Sequence, residues 1–244
     1  MVALYQVGTR VPETDDRLCP EATGPIGATI LLLDTSDPLT PKHRAELERL
    51  AGQITSEHAG RMGIAPGELL AVYQLTQDPG APRQLIEVCR PFKNPKDRTW
   101  RDDIHQGRRF AERDWERFED MLANAFPEQE SKPQPTSPLL ETITVLAARH
   151  MPGKRGDEQF KVHLVVFSDL LQHSPRFSHY GPYPDAKDMR HRARDLLTDL
   201  TGVQVSLFRL ERPQYAKWQT EHHYYWWTEL IQEQGGQIEW QDSF

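Results

Sequence analysis

The chain has 244 residues, enough for one large α/β domain or a domain with an arm. Its 37% hydrophobic and 27% charged residues still allow a core, while a net charge of −7 argues against general nucleic-acid binding. Cys19 and Cys89 are too few for a disulfide framework or a cysteine zinc site. No apolar run reaches membrane-spanning length, and MVALYQVGTRVPETDD lacks the apolar core of a signal peptide. A soluble, cytoplasmic protein is expected.

Residues 1–27 hold Pro12, Pro20 and Pro25 with Gly8, Gly24 and Gly27, and read as an irregular arm laid on a domain spanning 28–244. Ile30 to Leu33 is an uninterrupted apolar run, and Asp34 follows it directly. Such a run bounded by turn residues predicts a strand buried on both faces. Thr40-Pro41 suits a helix start, and Leu47, Leu50, Ala51 and Ile54 form the apolar stripe of a helix over 41–60. Strands are expected at 68–76 and 83–90. The QDPGAP turn between them is too short for a crossover helix, so they should form an antiparallel hairpin.

Residues 91–107 read as a charged loop tied down by Phe92 and Trp100. A helix over 108–126 follows, with Phe110, Trp115, Phe118, Met121 and Leu122 as its apolar face. The arginines between 98 and 117 are interleaved with acids, as on a solvated helix face. Thr136-Ser137-Pro138 opens another helix running to about His150. FKVHLVVFSDLL, 160–171, is a second central strand, ending at Ser168-Asp169. After a loop rich in proline and histidine come a helix at 189–200, a strand at 203–210, a long helix at 213–234 and a short strand at 237–240. Along that long helix, with its aromatic run at 221–230, Trp218 and Tyr225 are expected to pack on the sheet and Trp227 to be exposed.

Ligands in open α/β sheets bind at the carboxyl ends of the strands. Asp34 and Asp169 would share that edge if their strands are parallel neighbours, with Ser36 and Ser137 adding hydroxyls. Such a set of hard oxygens suits Mg²⁺ or Mn²⁺. The bland alternative makes Asp34 and Ser36 simple helix caps. His173, His179 and Tyr180 lie in the loop after Asp169, either as a partner-binding loop over that edge or as ordinary surface residues.

An apolar strand ending in Asp-x-Ser, a hydroxyl before a middle helix and an aspartate after a later central strand resemble the von Willebrand factor A domain. That resemblance covers roughly 28–244. It implies a Rossmann-like α/β fold: a mostly parallel sheet, one antiparallel edge hairpin and helices on both faces. It also carries a metal-ion-dependent adhesion site onto Asp34, Ser36, Ser137 (or Thr136) and Asp169, with Mg²⁺ or Mn²⁺ completed by a protein partner's acidic side chain. The family pattern is Asp-x-Ser-x-Ser. Here Pro38 takes the last position, and Asp37 would have to compensate directly or through water. The function implied is a protein–protein adaptor within a larger assembly of bacterial type, and a non-enzyme.

Two enzyme families share the opening strand. The Asp-Thr-Ser ending resembles PIN-domain nucleases, which cluster acids around divalent metals, though the hairpin fits them poorly. LLLDTSD with VVFSD resembles haloacid-dehalogenase phosphatases, with Asp34 as nucleophile and Ser168 on the phosphate. Those enzymes need a second aspartate where Ser36 stands.

Overall fold

The computed structural model describes residues 13–56, 62–92, 107–125, 133–150 and 160–244. The strands are β1 (Gly27–Leu33), β2 (Leu69–Gln74), β3 (Arg83–Cys89), β4 (Lys161–Ser168), β5 (Val203–Arg209) and β6 (Gln237–Ser243). The helices are α1 (Pro41–Thr55), α2 (Gly107–Ala125), α3 (Leu139–His150), the four-residue α4 (Met189–Arg192) and α5 (Glu221–Glu233). The strands form one sheet in the order β3-β2-β1-β4-β5-β6. All pairs are parallel except β2 with β3, the expected edge hairpin. β1 and β4 are adjacent and central, with Leu33 opposite Phe167. This α/β order is the one that the von Willebrand factor A resemblance implies.

Because side chains alternate along a strand, one apolar run feeds two cores. Ile30, Leu32, Leu164 and Val166 meet α3 and α5 on one face. Leu31, Leu33, Val165 and Phe167 meet α1 and Phe118 of α2 on the other. α1 starts where Thr40 and Pro41 foretold: the Thr40 hydroxyl accepts from the His43 amide, and the His43 ring closes the capping box. Phe92 packs against Gly67, whose φ of +81° and close ring contact leave no room for a Cβ. Trp100 lies outside the described residues, as do 98–106 of the arginine-rich stretch.

Three helices are shorter than expected, the first being α1, foreseen over 41–60 and ended after Thr55 by an extended C-cap at Ser56. The one foreseen at 189–200 stops after Arg192, because Ala193 takes φ −150° and a 3-10 turn at 194–196 follows. Clustered basic side chains at 190, 191, 192 and 194 disfavour a longer helix, and Gln234 captures the Thr198 and Leu200 amides instead. The one foreseen at 213–234 is a 3-10 turn at Pro213–Tyr215 followed by α5, which Thr220 caps at the His223 amide. The burial expected for the aromatic run is also reversed. Trp226 and Trp227 are buried, whereas Tyr225 is 67% exposed. The stripe that packs is His223, Trp226, Trp227, Leu230 and Ile231, at helical spacing.

The two cysteines correct the sequence reading most directly. Cys19 and Cys89 form a disulfide across 70 residues, and both are buried. It fastens the segment before β1 to the edge strand β3. Arg17 reinforces the seam, its carbonyl accepting from the Cys89 amide and its guanidinium pairing with Glu87. A bond closing a loop of this length stabilises the fold by about 4 kcal/mol in the chain-entropy account. Reduction, or Cys89→Ser, should therefore lower the melting temperature by about 10 °C. An unchanged melting curve with two freely titrating thiols in the native protein would contradict the pairing.

Candidate functional site

Three neighbouring parallel strands, β1, β4 and β5, deliver their following residues to one edge of the sheet. Asp34 follows β1 directly, with its amide held by the Phe167 carbonyl. Its side chain is buried and fully engaged. Oδ1 accepts from the Ser36 amide at 2.9 Å, and Oδ2 accepts the hydroxyls of Ser168 at 2.6 Å and Ser137 at 3.1 Å. Ser36 and Ser137 thus reach Asp34 as expected. Ser168, foreseen only as a phosphate contact in the dehalogenase reading, makes the shortest of the three bonds.

Asp169 follows β4 and is 4% exposed. Its Oδ1 accepts from the Leu171 amide, and its Oδ2 stands 3.4 Å from Nε of Arg212. Arg212, just beyond β5, is the residue that sequence reading missed. It is 5% exposed, and it donates from Nη1 to the Pro38 carbonyl at 2.9 Å and from Nη2 to the Asp37 carbonyl at 3.2 Å. The guanidinium therefore bridges the β1 loop and the β4 loop. Gln219 holds it in place, accepting from the Arg212 amide and donating to the carbonyls of Asp169 and Leu210.

Asp37 comes to this edge through its backbone, its carbonyl turned to Arg212. Thr136 is half-buried next to Ser137, and neither its hydroxyl nor the Asp37 carboxylate is hydrogen-bonded to Asp34 or Asp169. His173 and Tyr180 do sit over the edge. A two-way backbone bridge joins His173 to Ser137, and the His173 ring meets Tyr180 edge-to-face at 5.2 Å. Tyr180 in turn meets Trp218 at 4.9 Å and Tyr215 at 5.8 Å. Burial, followed by the nearby Asp169, raises the Tyr180 hydroxyl above its ordinary range.

His179 is not a surface ligand at all. It is fully buried, with Nδ1 accepting from the Gln172 amide and its ring enclosed by Phe177, Tyr183, Trp226 and Trp227. His223 and Trp227, both on α5, donate to the Leu170 carbonyl. Leu170 itself has φ +62°, a left-handed conformation that costs a residue with a Cβ. These α5 donors, with the Ser168 hydroxyl accepting the Leu170 amide, hold the strained turn that presents Asp169. A helical stripe through 223, 226 and 227 was the available signal for them.

The family resemblance implies Mg²⁺ or Mn²⁺ at this donor set. Two hydroxyls and an amide already take three of the acceptor positions of Asp34, and a buried guanidinium already faces Asp169. The residues as placed do not fit a divalent ion without displacing Arg212. Among the described residues, no group of three or more His, Cys, Asp or Glu is arranged to hold a metal.

No family model matches the chain, and no curated protein does. Among solved structures it is similar to two of proximal thread matrix protein 1 from the mussel byssus. One, a second crystal form, is 10% identical over 76% of this chain and 38% of that one, with a TM-score of 0.39. The other is 9% identical over 82% and 40%, with a TM-score of 0.39. The chain spans about two fifths of the length of those structures. The α/β assignment rests on the sheet order and register.

Burial, followed by the charge of Asp34, pushes Asp169 up to about 8, against the pull of the Leu171 amide and Arg212. A carboxyl raised from 3.8 contributes stability that is full below that value and lost as pH rises through about 8. The buried histidines act oppositely. Burial pushes His163 and His223 down to about 4 and lowers His179, so their contribution is full above 6.5 and lost as pH falls towards 4. Between pH 6.5 and 8 the Asp169 contribution is left to act, and the melting temperature should fall across that window. Asp169→Asn, which copies the protonated carboxyl, should flatten the decline; an equal slope in both proteins would refute the assignment.

Proposed function

We propose that the chain is a protein-interaction domain that meets its partner at the carboxyl edge of the sheet. The observation that carries this reading is the way the loops after β1, β4 and β5 are tied together there. They present His173, Tyr180, Tyr215 and Trp218 as a partly exposed aromatic cluster beside a shallow groove of about 580 Å³ in the 173–184 loop. Aromatic side chains held by a rigid scaffold are the usual anchors of protein interfaces. Asp34 is held by three donors at this edge, and Arg212 is held through Nη1 and Nη2, which gives the loops a rigid base. Among the described residues no helix is long and apolar enough to cross a membrane.

The Cys19–Cys89 disulfide supports an oxidising compartment over the cytoplasm expected from the sequence, since structural disulfides persist mainly outside reducing compartments. The PIN-nuclease reading remains the alternative, with Asp34 and Asp169 as the acids it would use; among the described residues no group of three or more His, Cys, Asp or Glu could hold a metal.

Capture of partners on immobilised protein tests the edge. Tyr180→Ala and Trp218→Ala should each lose a captured protein about tenfold, as interface anchors of about 1–2 kcal/mol do. Ile26→Ala, exposed at the opposite end of β1, should retain it. Equal capture by all variants would remove the proposed interface. Incubation with Mn²⁺ should leave single- and double-stranded RNA and DNA intact; cleavage abolished by Asp34→Asn would establish the nuclease reading instead.

A further inference from the structure

We infer that the Arg212 guanidinium is the built-in cation of the Asp34–Asp169 edge, holding by covalent attachment the charge position that a divalent ion would otherwise fill. The inference goes beyond the proposed function, because this charge balance stands whether or not a partner docks at the edge.

The geometry supports it in three ways. First, Arg212 is charged and nearly inaccessible, with its side chain and that of Asp169 each 4% exposed. A buried carboxylate without a counter-charge is costly, and the guanidinium supplies one to this edge from the adjacent strand, meeting Asp169 whenever that carboxyl ionises. Second, the fork spans both loops, with Nε facing Asp169 and Nη1 and Nη2 donating to the carbonyls of Pro38 and Asp37. An arginine is suited to this because its donors are fixed in one plane. Third, it accounts for the motif departure at Pro38. The loop contributes no side-chain oxygen there. It contributes two backbone carbonyls, which are acceptors for a guanidinium and need no particular side chain. Gln219 then holds the Arg212 amide and the Asp169 carbonyl together, so the cation is positioned by its neighbours on both sides.

The account predicts metal indifference in the natural protein and a metal response once the arginine is removed. Wild type should show no change in melting temperature with Mg²⁺ or Mn²⁺ up to about 10 mM, and the Mn²⁺ electron paramagnetic resonance signal should remain that of the free ion. Arg212→Ala should melt lower, and Mn²⁺ should restore about 5–10 °C once it exceeds its dissociation constant about a hundredfold. Adding Asp169→Asn to Arg212→Ala should abolish that restoration. If Arg212→Ala is unfolded without metal, Mn²⁺ should return the fold. Three results would each overturn the inference: Mn²⁺ bound by wild type and lost in Asp169→Asn; a folded Arg212→Ala protein indifferent to Mn²⁺; an Arg212→Ala chain left unfolded at every Mn²⁺ concentration. None of these readouts involves partner capture, so failure here is distinct from failure of the interface.

Discussion

The carboxyl edge of the sheet depends on one buried charge balance. Adjacent parallel strands β1, β4 and β5 deliver Asp34, Asp169 and Arg212 to the same place, and each is at most 5% exposed. Left alone, Asp34 or Arg212 would be a buried ion whose effective desolvation costs several kcal/mol, and Asp169 lessens its own cost by holding its proton up to about 8. Together, and with three donors on Asp34, they are tolerated. Removing one partner of such a set typically costs about 3–5 kcal/mol because the others are stranded. The order of the edge follows from this constraint.

The surrounding structure serves to hold that balance in register. The Ser168 hydroxyl reaches both Asp34 and the Leu170 amide, so the end of β4 fixes two loops at once. α5 reinforces it from one face, where Trp227 and His223 clamp the Leu170 carbonyl in its left-handed turn. The bridge between Ser137 and His173 then ties the mouth of α3 to the aromatic loop. The exposed part of the edge is therefore aromatic and its buried part ionic, a division that suits a rigid docking surface.

What the sequence disclosed was local. The all-apolar runs before Asp34 and Asp169, the short QDPGAP turn and the Thr40-Pro41 cap each depend on neighbours within a few residues, and each appears as expected. Asp34 and Ser168 came together because parallel register makes the ends of β1 and β4 coincide, and Ser137 joins them from the mouth of α3. Arg212 was invisible for the opposite reason. It sits in the short link between β5 and a 3-10 turn, with no periodicity, and its meaning comes from strand order. Trp227 was misplaced although its pattern was readable: 223, 226, 227, 230 and 231 form a helical stripe, obscured by beginning the helix at 213 instead of 221. The cysteines carried no local sign of pairing, since the fold brings them together across 70 residues.

Pro38 and Arg212 belong to one arrangement, in which a backbone-lined loop accepts a guanidinium where the related pattern offers a side-chain ligand. The most direct measurement is a crystal structure grown with Mn²⁺ and recorded at a wavelength where manganese scatters anomalously. The account predicts guanidinium density between Asp169 and the carbonyls of Asp37 and Pro38, with no anomalous peak at that edge. A manganese peak coordinated by Asp34 and Asp169, with Arg212 swung out to solvent, would contradict it.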